Sequence, residues 1–289
     1  MVDGKTIQWF PGHMAKTRRL IAESLKLVDM AVEIVDARIP QSSRNPEIDE
    51  LLAGKPRMLL LNKADLADPE VNRAWIDYFQ NTLSVPALET DCKSGGGLKS
   101  FLSSVQKTLS DVLARREEKG MGGKAIRIMV VGIPNCGKSS FINRLAGGKK
   151  AQVGDRPGVT RDRQWVNAQG GIELLDTPGV LWPKFDDPEV GKKLAVTGAI
   201  KDQIIDVEEL AVDFLDLLNR DCYGLVNERY KLADTRGMDG YELLTLIGQK
   251  RGMLISGGEV NTERAANMLL DEYRGGKLGR ISFERPAVQ

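Results

Sequence analysis

The sequence predicts an α/β protein: a doubly wound, mainly parallel sheet followed by a mainly α-helical C-terminal domain. Three observations carry this. Between residues 30 and 176, short apolar runs alternate with segments of helical spacing, the pattern of a parallel sheet covered on both faces. Those runs end in Asp, Asn or Gly clusters, at the strand ends where such sheets bind ligands. After about residue 185 the strand signals fade and helical spacing takes over.

The elements follow in order. Residues 14–28 read as a helix, with Leu20, Ile21, Leu25 and Val28 on one side and Lys16, Arg18, Arg19 and Lys26 between them. The run 30–35 is a strand ending in Asp36-Ala37-Arg38-Ile39-Pro40, and 57–61 is a strand ending in Asn62-Lys63-Ala64-Asp65. Asp68-Pro69 starts a helix over about 69–82. A strand near 86–90, a glycine turn at 95–97 and one long helix to about 117 come next. The charged, glycine-rich stretch 117–124 is a linker. The strand 125–131 then meets a glycine-rich turn and a helix from Lys138, and strands near 164–168 and 172–176 end in Asp176. Segments 188–199, 206–219, 239–250 and 261–274 have helical spacing. The expected domains are 1–184, with an N-terminal extension over 1–28, and 185–289.

The chain has 289 residues, 42% of them hydrophobic and 28% charged. That suits about two globular domains and excludes a disordered tail. The net charge is +1, which excludes a uniformly basic coat for nucleic acid, but the balance is uneven. Residues 185–289 hold 14 basic and 19 acidic side chains, whereas 138–163 hold seven basic (Lys138, Arg144, Lys149, Lys150, Arg156, Arg161, Arg163) against two acidic (Asp155, Asp162). Such a local patch suits RNA phosphates. Cys92, Cys136 and Cys222 are too few and too scattered for a disulfide framework or a zinc site. No apolar signal core opens the chain, and its apolar runs are far shorter than the ~20 residues that span a bilayer. The expectation is a cytoplasmic protein without membrane or DNA as partner.

The strongest motif is Gly132-Ile133-Pro134-Asn135-Cys136-Gly137-Lys138-Ser139, a G-x-x-x-x-G-K-[ST] loop with a strand before it and a helix after it. Its backbone N–H groups and the helix N-terminus form a phosphate cradle. This marks Pro134, Asn135, Cys136, Gly137, Lys138, Ser139 and Ser140 as nucleotide-binding candidates. Lys138 is expected to reach the β- and γ-phosphates, and Ser139 to ligate Mg²⁺. Asp176-Thr177-Pro178-Gly179 ends a later strand, placing Asp176 in the Mg²⁺ shell and the Gly179 N–H at the γ-phosphate. Thr160, between the two motifs, is a further Mg²⁺ and nucleotide candidate. Asn62-Lys63-Ala64-Asp65 selects the base. The Asp65 carboxylate accepts from guanine N1–H and N2–H₂, a donor pair that adenine lacks, while Asn62 braces the loop and the Lys63 stem covers the base plane. Thr90-Asp91-Cys92 reads as the supporting loop, with the Cys92 N–H facing the guanine carbonyl oxygen.

The order is unusual, because the base-reading motif lies before the phosphate loop. With Trp9-Phe10-Pro11-Gly12-His13-Met14-Ala15-Lys16, Asp36–Pro40, Asn62–Asp65, Gly132–Ser139 and Asp176–Gly179 in this sequence, the chain resembles the circularly permuted P-loop GTPases. More narrowly, it is similar to the ribosome biogenesis GTPase A (YlqF) family. The resemblance implies a GTPase domain over 1–184 and an RNA- or ribosome-contacting helical domain over 185–289. It implies GTP/GDP and Mg²⁺ as ligands, and the large ribosomal subunit, its rRNA and proteins, as partner at a late assembly step. Val180 stands where many GTPases have a water-orienting Gln, so turnover by the free protein is expected to be slow and to be stimulated by the subunit. The resemblance further implies that His13, the only histidine, is catalytic alongside Lys138, and that Asn135 helps hold K⁺. Two other functions fit the motifs less fully: a guanine-nucleotide signalling or stress switch with a protein effector, and a P-loop phosphotransferase, for which no second substrate site is apparent.

Overall fold

The computed structural model describes residues 11–148, 164–177, 179, 187–200, 202, 205–222 and 224–287, without the side chains of 11–17 and 221. Among them, β1 (Met30–Asp36), β2 (Arg57–Asn62), β3 (Ala87–Thr90), β4 (Ile126–Val131), β5 (Gln164–Ala168) and β6 (Ile172–Asp176) form one sheet. Its order is β3-β2-β1-β4-β6-β5. All neighbours are parallel except β5, which runs antiparallel to β6. The chain builds outward from β1 to β3, then returns and builds from β4 in the other direction. The order reverses between β1 and β4, the kind of switch point at which such sheets bind ligands beyond the carboxyl ends of their strands.

Helices cover both faces. On α3 (Pro69–Asn81), Val71, Trp75 and Phe79 recur every fourth residue and pack with Val35, Leu59, Leu61 and Ala87 of the sheet. The helix starts where Asp68 accepts hydrogen bonds from the Glu70 and Val71 N–H groups, with Pro69 at its first position. Ile21 of α1 (Pro11–Leu25) and Ile48 of α2 (Pro46–Leu51) cluster with Ala31, Met129, Val131 and Leu175. The strand residues of opposite parity, Val32, Ile34, Leu60, Ile128, Val130 and Leu174, are also fully buried. Phe101 of α4 (Leu98–Thr108) meets Phe141 of α6 (Lys138–Leu145) edge to face at 5.0 Å.

Besides the helix Leu225–Tyr230, which the sequence reading did not place, the structure departs from that reading in three places. The expected long helix to 117 is two, α4 and α5 (Ser110–Glu118), because Leu109 turns inward and is buried while none of α5's side chains is. The helix α2 has only six residues, too few to show periodicity; its signal was Asn45-Pro46, where the Asn45 side chain caps the Glu47 N–H. The third departure is at the C-terminus. The chain divides into two compact units, one of residues up to Asp186 together with Glu284 onward, the other Asp187–Phe283. The tail, assigned by sequence to the helical domain, groups with the first unit. There the Glu284 carboxylate accepts from the Gln41 N–H at 2.7 Å, the Ser42 N–H at 3.0 Å and the Ser42 hydroxyl, and the Glu284 carbonyl accepts from Trp75 Nε1 at 3.0 Å.

The second unit contains α7 (Pro188–Val196), α8 (Val207–Asp221), α9 (Leu225–Tyr230), α10 (Gly240–Lys250) and α11 (Thr262–Arg274). Four of these begin at an Asp or Asn cap: Asp187, Asp206, Asp239 and Asn261. Helix α8 lies against the other four, and its Phe214 packs with Tyr273 and Phe283. Glu272, nearly buried, accepts from Arg229 at 2.7 Å and 2.9 Å and from the Tyr230 hydroxyl at 3.0 Å. Among the described residues no helix is long and apolar enough to cross a membrane.

Glu284→Ala is expected to lower the unfolding free energy of the first unit by about 1–2 kcal/mol, since hydrogen bonds to a charged group are lost. Calorimetry of the unfolding transition, with amide exchange at Gln41 and Ser42, reads both effects.

Candidate nucleotide-binding site

Parallel pairing brings the motif-bearing strand ends together. Asp36 pairs in register with Asn62, Asn62 with Thr90, and Val130 with Asp176. Because every strand here but β5 points the same way, the motifs that follow β1, β2, β3, β4 and β6 open onto one edge of the sheet.

Asn62 ties this edge together. Its Nδ2 donates to the Cys136 carbonyl at 2.7 Å, and its Oδ1 accepts from the Cys92 N–H at 3.2 Å and from Thr90 Oγ1 at 3.4 Å. One side chain, 3% exposed, thus joins the end of β2, the loop after β3 and the glycine-rich loop after β4. Gly137 has φ +102, and a Cβ there would lie 2.1 Å from Asn62 Nδ2; only glycine lets the loop pass so close. Lys63 adopts the left-handed conformation (φ 60, ψ 34) and starts the 3-10 turn Ala64–Leu66. Asp65, in that turn, is exposed, and the Ala64 carbonyl accepts from Asn72 Nδ2 of α3 at 3.3 Å.

The loop after β3 is fixed by Asp91, whose Oδ1 accepts from the Lys93 and Ser94 N–H groups at 2.8 Å and 3.2 Å. Arg144 of α6 donates to the Ser94 carbonyl. Burial pushes the Cys92 thiol up to about 12, and burial likewise raises Cys136. Burial thus disfavours the thiolate form of both.

Lys138 opens α6, is 6% exposed, and its Nζ donates to the Ile133 carbonyl at 2.8 Å. Ser139 Oγ donates to Asp176 Oδ2 at 3.4 Å, and Asp176 is 1% exposed. Gly179 approaches the same loop. A Cβ on it would stand 2.7 Å from Pro134 N and 2.9 Å from Lys138 Nζ. Asn135 has φ 57 at the crest of the loop, and Ser140 follows in the first turn of α6. The candidates Asn62 to Asp65, Thr90 to Cys92, Pro134 to Ser140, Asp176 and Gly179 therefore fall on this one edge. Trp9, Phe10, Thr160, Val180 and the basic run from Lys149 to Arg163 lie outside the described residues. His13 lies on α1, with its side chain outside the description.

The base motif precedes the phosphate loop in the chain yet is bonded to it in space, which is a circular permutation. Residues 127–270 match the family described as 50S ribosome-binding GTPase. The chain is 50% identical over 283 residues to Ribosome biogenesis GTPase A of Priestia megaterium, covering 98% of each chain. It is 47% identical to the protein of that name from Bacillus pumilus, over 97% of this chain and 99% of that one. GNP-bound YlqF from T. maritima superposes with a TM-score of 0.64 at 26% identity, covering 95% of this chain and 100% of that one. This chain belongs to the ribosome biogenesis GTPase A (YlqF) family. As a member it hydrolyses GTP, and its ligands are guanine nucleotides.

The structure adds site residues in this YlqF member to which sequence reasoning gave no role. Asp36 and Arg38 were visible as part of a motif, but nothing in the sequence said what they touch. Asp36 accepts from Arg38 Nε at 2.9 Å, Arg38 NH2 at 2.7 Å and Lys63 Nζ at 2.8 Å. Burial pushes this carboxyl up, but the Arg38 and Lys63 cations outweigh it and hold it well below the usual range. Asn72 carried no signal, being a single polar residue on an amphipathic helix, and Arg144, read from sequence as part of the basic patch, instead donates to the Ser94 carbonyl.

Asn62→Ala removes three bonds at once and leaves a buried N–H and a carbonyl without that partner. It is expected to cost about 2–4 kcal/mol in urea unfolding and to weaken GDP binding more than tenfold by titration. Asp36, held below its ordinary value, contributes stability that is present above the ordinary carboxylate pKa of about 4 and is lost as pH falls below it. The urea midpoint should drop from pH 5 to pH 3, with a shallower drop in Asp36→Asn.

Proposed function

We propose that this chain is a GTP-driven assembly factor acting in the cytoplasm at a late step of large (50S) ribosomal subunit maturation, with turnover stimulated by the subunit. The observation that carries the reading is the Asn62 junction, which bonds the Asn62–Asp65 turn to the loop Gly132–Ser139 although the two stand in permuted order. The near full-length identity to proteins named Ribosome biogenesis GTPase A supports the ribosomal part.

In this reading Asp65, exposed at the turn, accepts the guanine N1–H and N2–H₂ donors. Thr90, Asp91 and Cys92 shape the far wall; the Cys92 N–H, expected from sequence to face the base carbonyl, is instead engaged by Asn62 Oδ1. The N–H groups of Pro134 to Ser140 and the N-terminus of α6 surround the phosphates. Lys138, now donating to the Ile133 carbonyl, turns to donate to a β/γ-phosphate oxygen instead. Ser139 Oγ and the Asp176 carboxylate stand side by side, the hard oxygen pair that suits Mg²⁺; Thr160 completes that set, and Asn135 supports K⁺. When bound, these cations neutralise charge on the transferred phosphoryl group. Gly179, packed on Pro134, is placed to sense the γ-phosphate. Val180 cannot orient water, so the free protein turns over slowly, and His13 supplies the polar group once the chain is docked. The helical unit, proposed over 185–289, and the basic stretches 1–26 and 138–163 contact rRNA through charge and shape.

GTP turnover with purified large subunits is expected to exceed turnover alone by at least tenfold, and His13→Ala should lose that stimulation while still binding GDP. Equal rates with and without subunits overturn the ribosomal reading, whereas ATP bound as tightly as GTP overturns the base site.

A further inference from the structure

The base-covering lysine stands in a conformation that needs support. Lys63 is a non-glycine residue at φ 60, a region such residues occupy only when their surroundings hold them there. Its backbone is held by the Ala37 N–H, which donates to the Asn62 carbonyl at 2.8 Å. Its side chain is held at the far end: Nζ sits 2.8 Å from Asp36 Oδ2, although the Lys63 side chain as a whole is 24% exposed. A lysine stem on a surface ordinarily samples many rotamers, whereas here the contact at Nζ and the held backbone restrict that freedom.

The anchor is itself fixed. Asp36 is 3% and Arg38 1% exposed in their side chains. Arg38 grips the carboxylate through Nε on Oδ1 and NH2 on Oδ2, and its backbone N–H also donates to Oδ1 at 3.1 Å. The Asp36 N–H donates to Ser43 Oγ at 3.0 Å, and Ser43 Oγ donates to the Ile39 carbonyl at 2.7 Å. A planar guanidinium paired with both carboxylate oxygens leaves the group no rotation. Oδ2 is therefore presented to Lys63 at one point beside the switch point between β1 and β4.

We propose that Asp36, locked by Arg38, is a positioning residue for guanine binding, holding the Lys63 ammonium so that the lysine stem forms a fixed floor for the base. This rests on the base-site reading above. Arg38 and Asp36 touch no nucleotide in this scheme; they act through Lys63. The tether aligns the stem before the ligand arrives, which raises affinity without adding a contact. It leaves the choice of base to Asp65.

The test is a double-mutant cycle on the full-length protein, read as the Kd of a fluorescent GDP. Asp36→Asn is expected to weaken GDP about tenfold in the wild-type background, as an ordered side chain of this length is released, but less than twofold in Lys63→Met. Equal losses in the two backgrounds overturn the proposal, since a general structural defect would not depend on Lys63. Lys63→Met keeps the stem and removes only the ammonium. It too should bind GDP about tenfold more weakly, and wild-type affinity in this variant overturns the proposal whether or not Asp36→Asn folds. Asp65→Asn, read with XDP against GDP, should shift preference to XDP with or without the Asp36 change. A failure of the base-site reading therefore shows in that arm, whereas a failure of the tether alone leaves that arm intact and shows only in the cycle.

Discussion

The amide of Asn62 is the contact on which the rest of this site depends. The stretches proposed to read the base and to bind the phosphates lie 70 residues apart in the chain, after strands that are not neighbours. The sheet puts their ends on one edge but does not by itself set the distance between the loops. Asn62 does, with a donor to the Cys136 carbonyl and an acceptor for the Cys92 N–H. An amide suits the task because it offers both functions on one short, rigid group. The absence of a Cβ at Gly137 is the matching condition on the other side.

Permutation leaves this arrangement intact because a parallel sheet takes no account of chain order. What counts is which strand ends lie side by side. The order β3-β2-β1-β4-β6-β5 places the reversal between β1 and β4, so the switch point lies between the strand carrying Asp36 and the strand followed by the loop Gly132–Ser139. Charges buried at such a place need partners, since an isolated carboxylate with so little exposure is strongly disfavoured. Asp36 meets that need with two cations and converts it into a support for the base loop. The tail at Glu284 braces the Gln41–Ser42 turn of the same segment and, through Trp75, the helix that holds the Ala64 carbonyl.

Much of the fold was legible because its signals are local. Strands β1, β2, β4 and β6 are apolar runs bounded by turn residues, and four helices of the second unit start at Asp or Asn caps whose side chains bond the first turn. The break at Leu109 was not legible, because that leucine continues a helical pattern and only the core it enters makes it turn. Nor was the path of the tail. Glu284 reads as one more charged residue near a terminus until the N–H groups of Gln41 and Ser42 are seen converging on it.

The sequence by itself determined the chemistry of the site: the loop Gly132–Ser139, the Asn62–Asp65 turn and Asp176 are defined by residue types at fixed short spacings, and short spacings fix local geometry. Only the tertiary structure decided how those pieces are held to one another. Asn62 on Cys136, Asp36 between Arg38 and Lys63, Asn72 on Ala64 and Arg144 on Ser94 are pairings of common polar residues, most of them between distant parts of the chain. A polar side chain has many possible partners in a sequence, and the packing of the apolar core selects one.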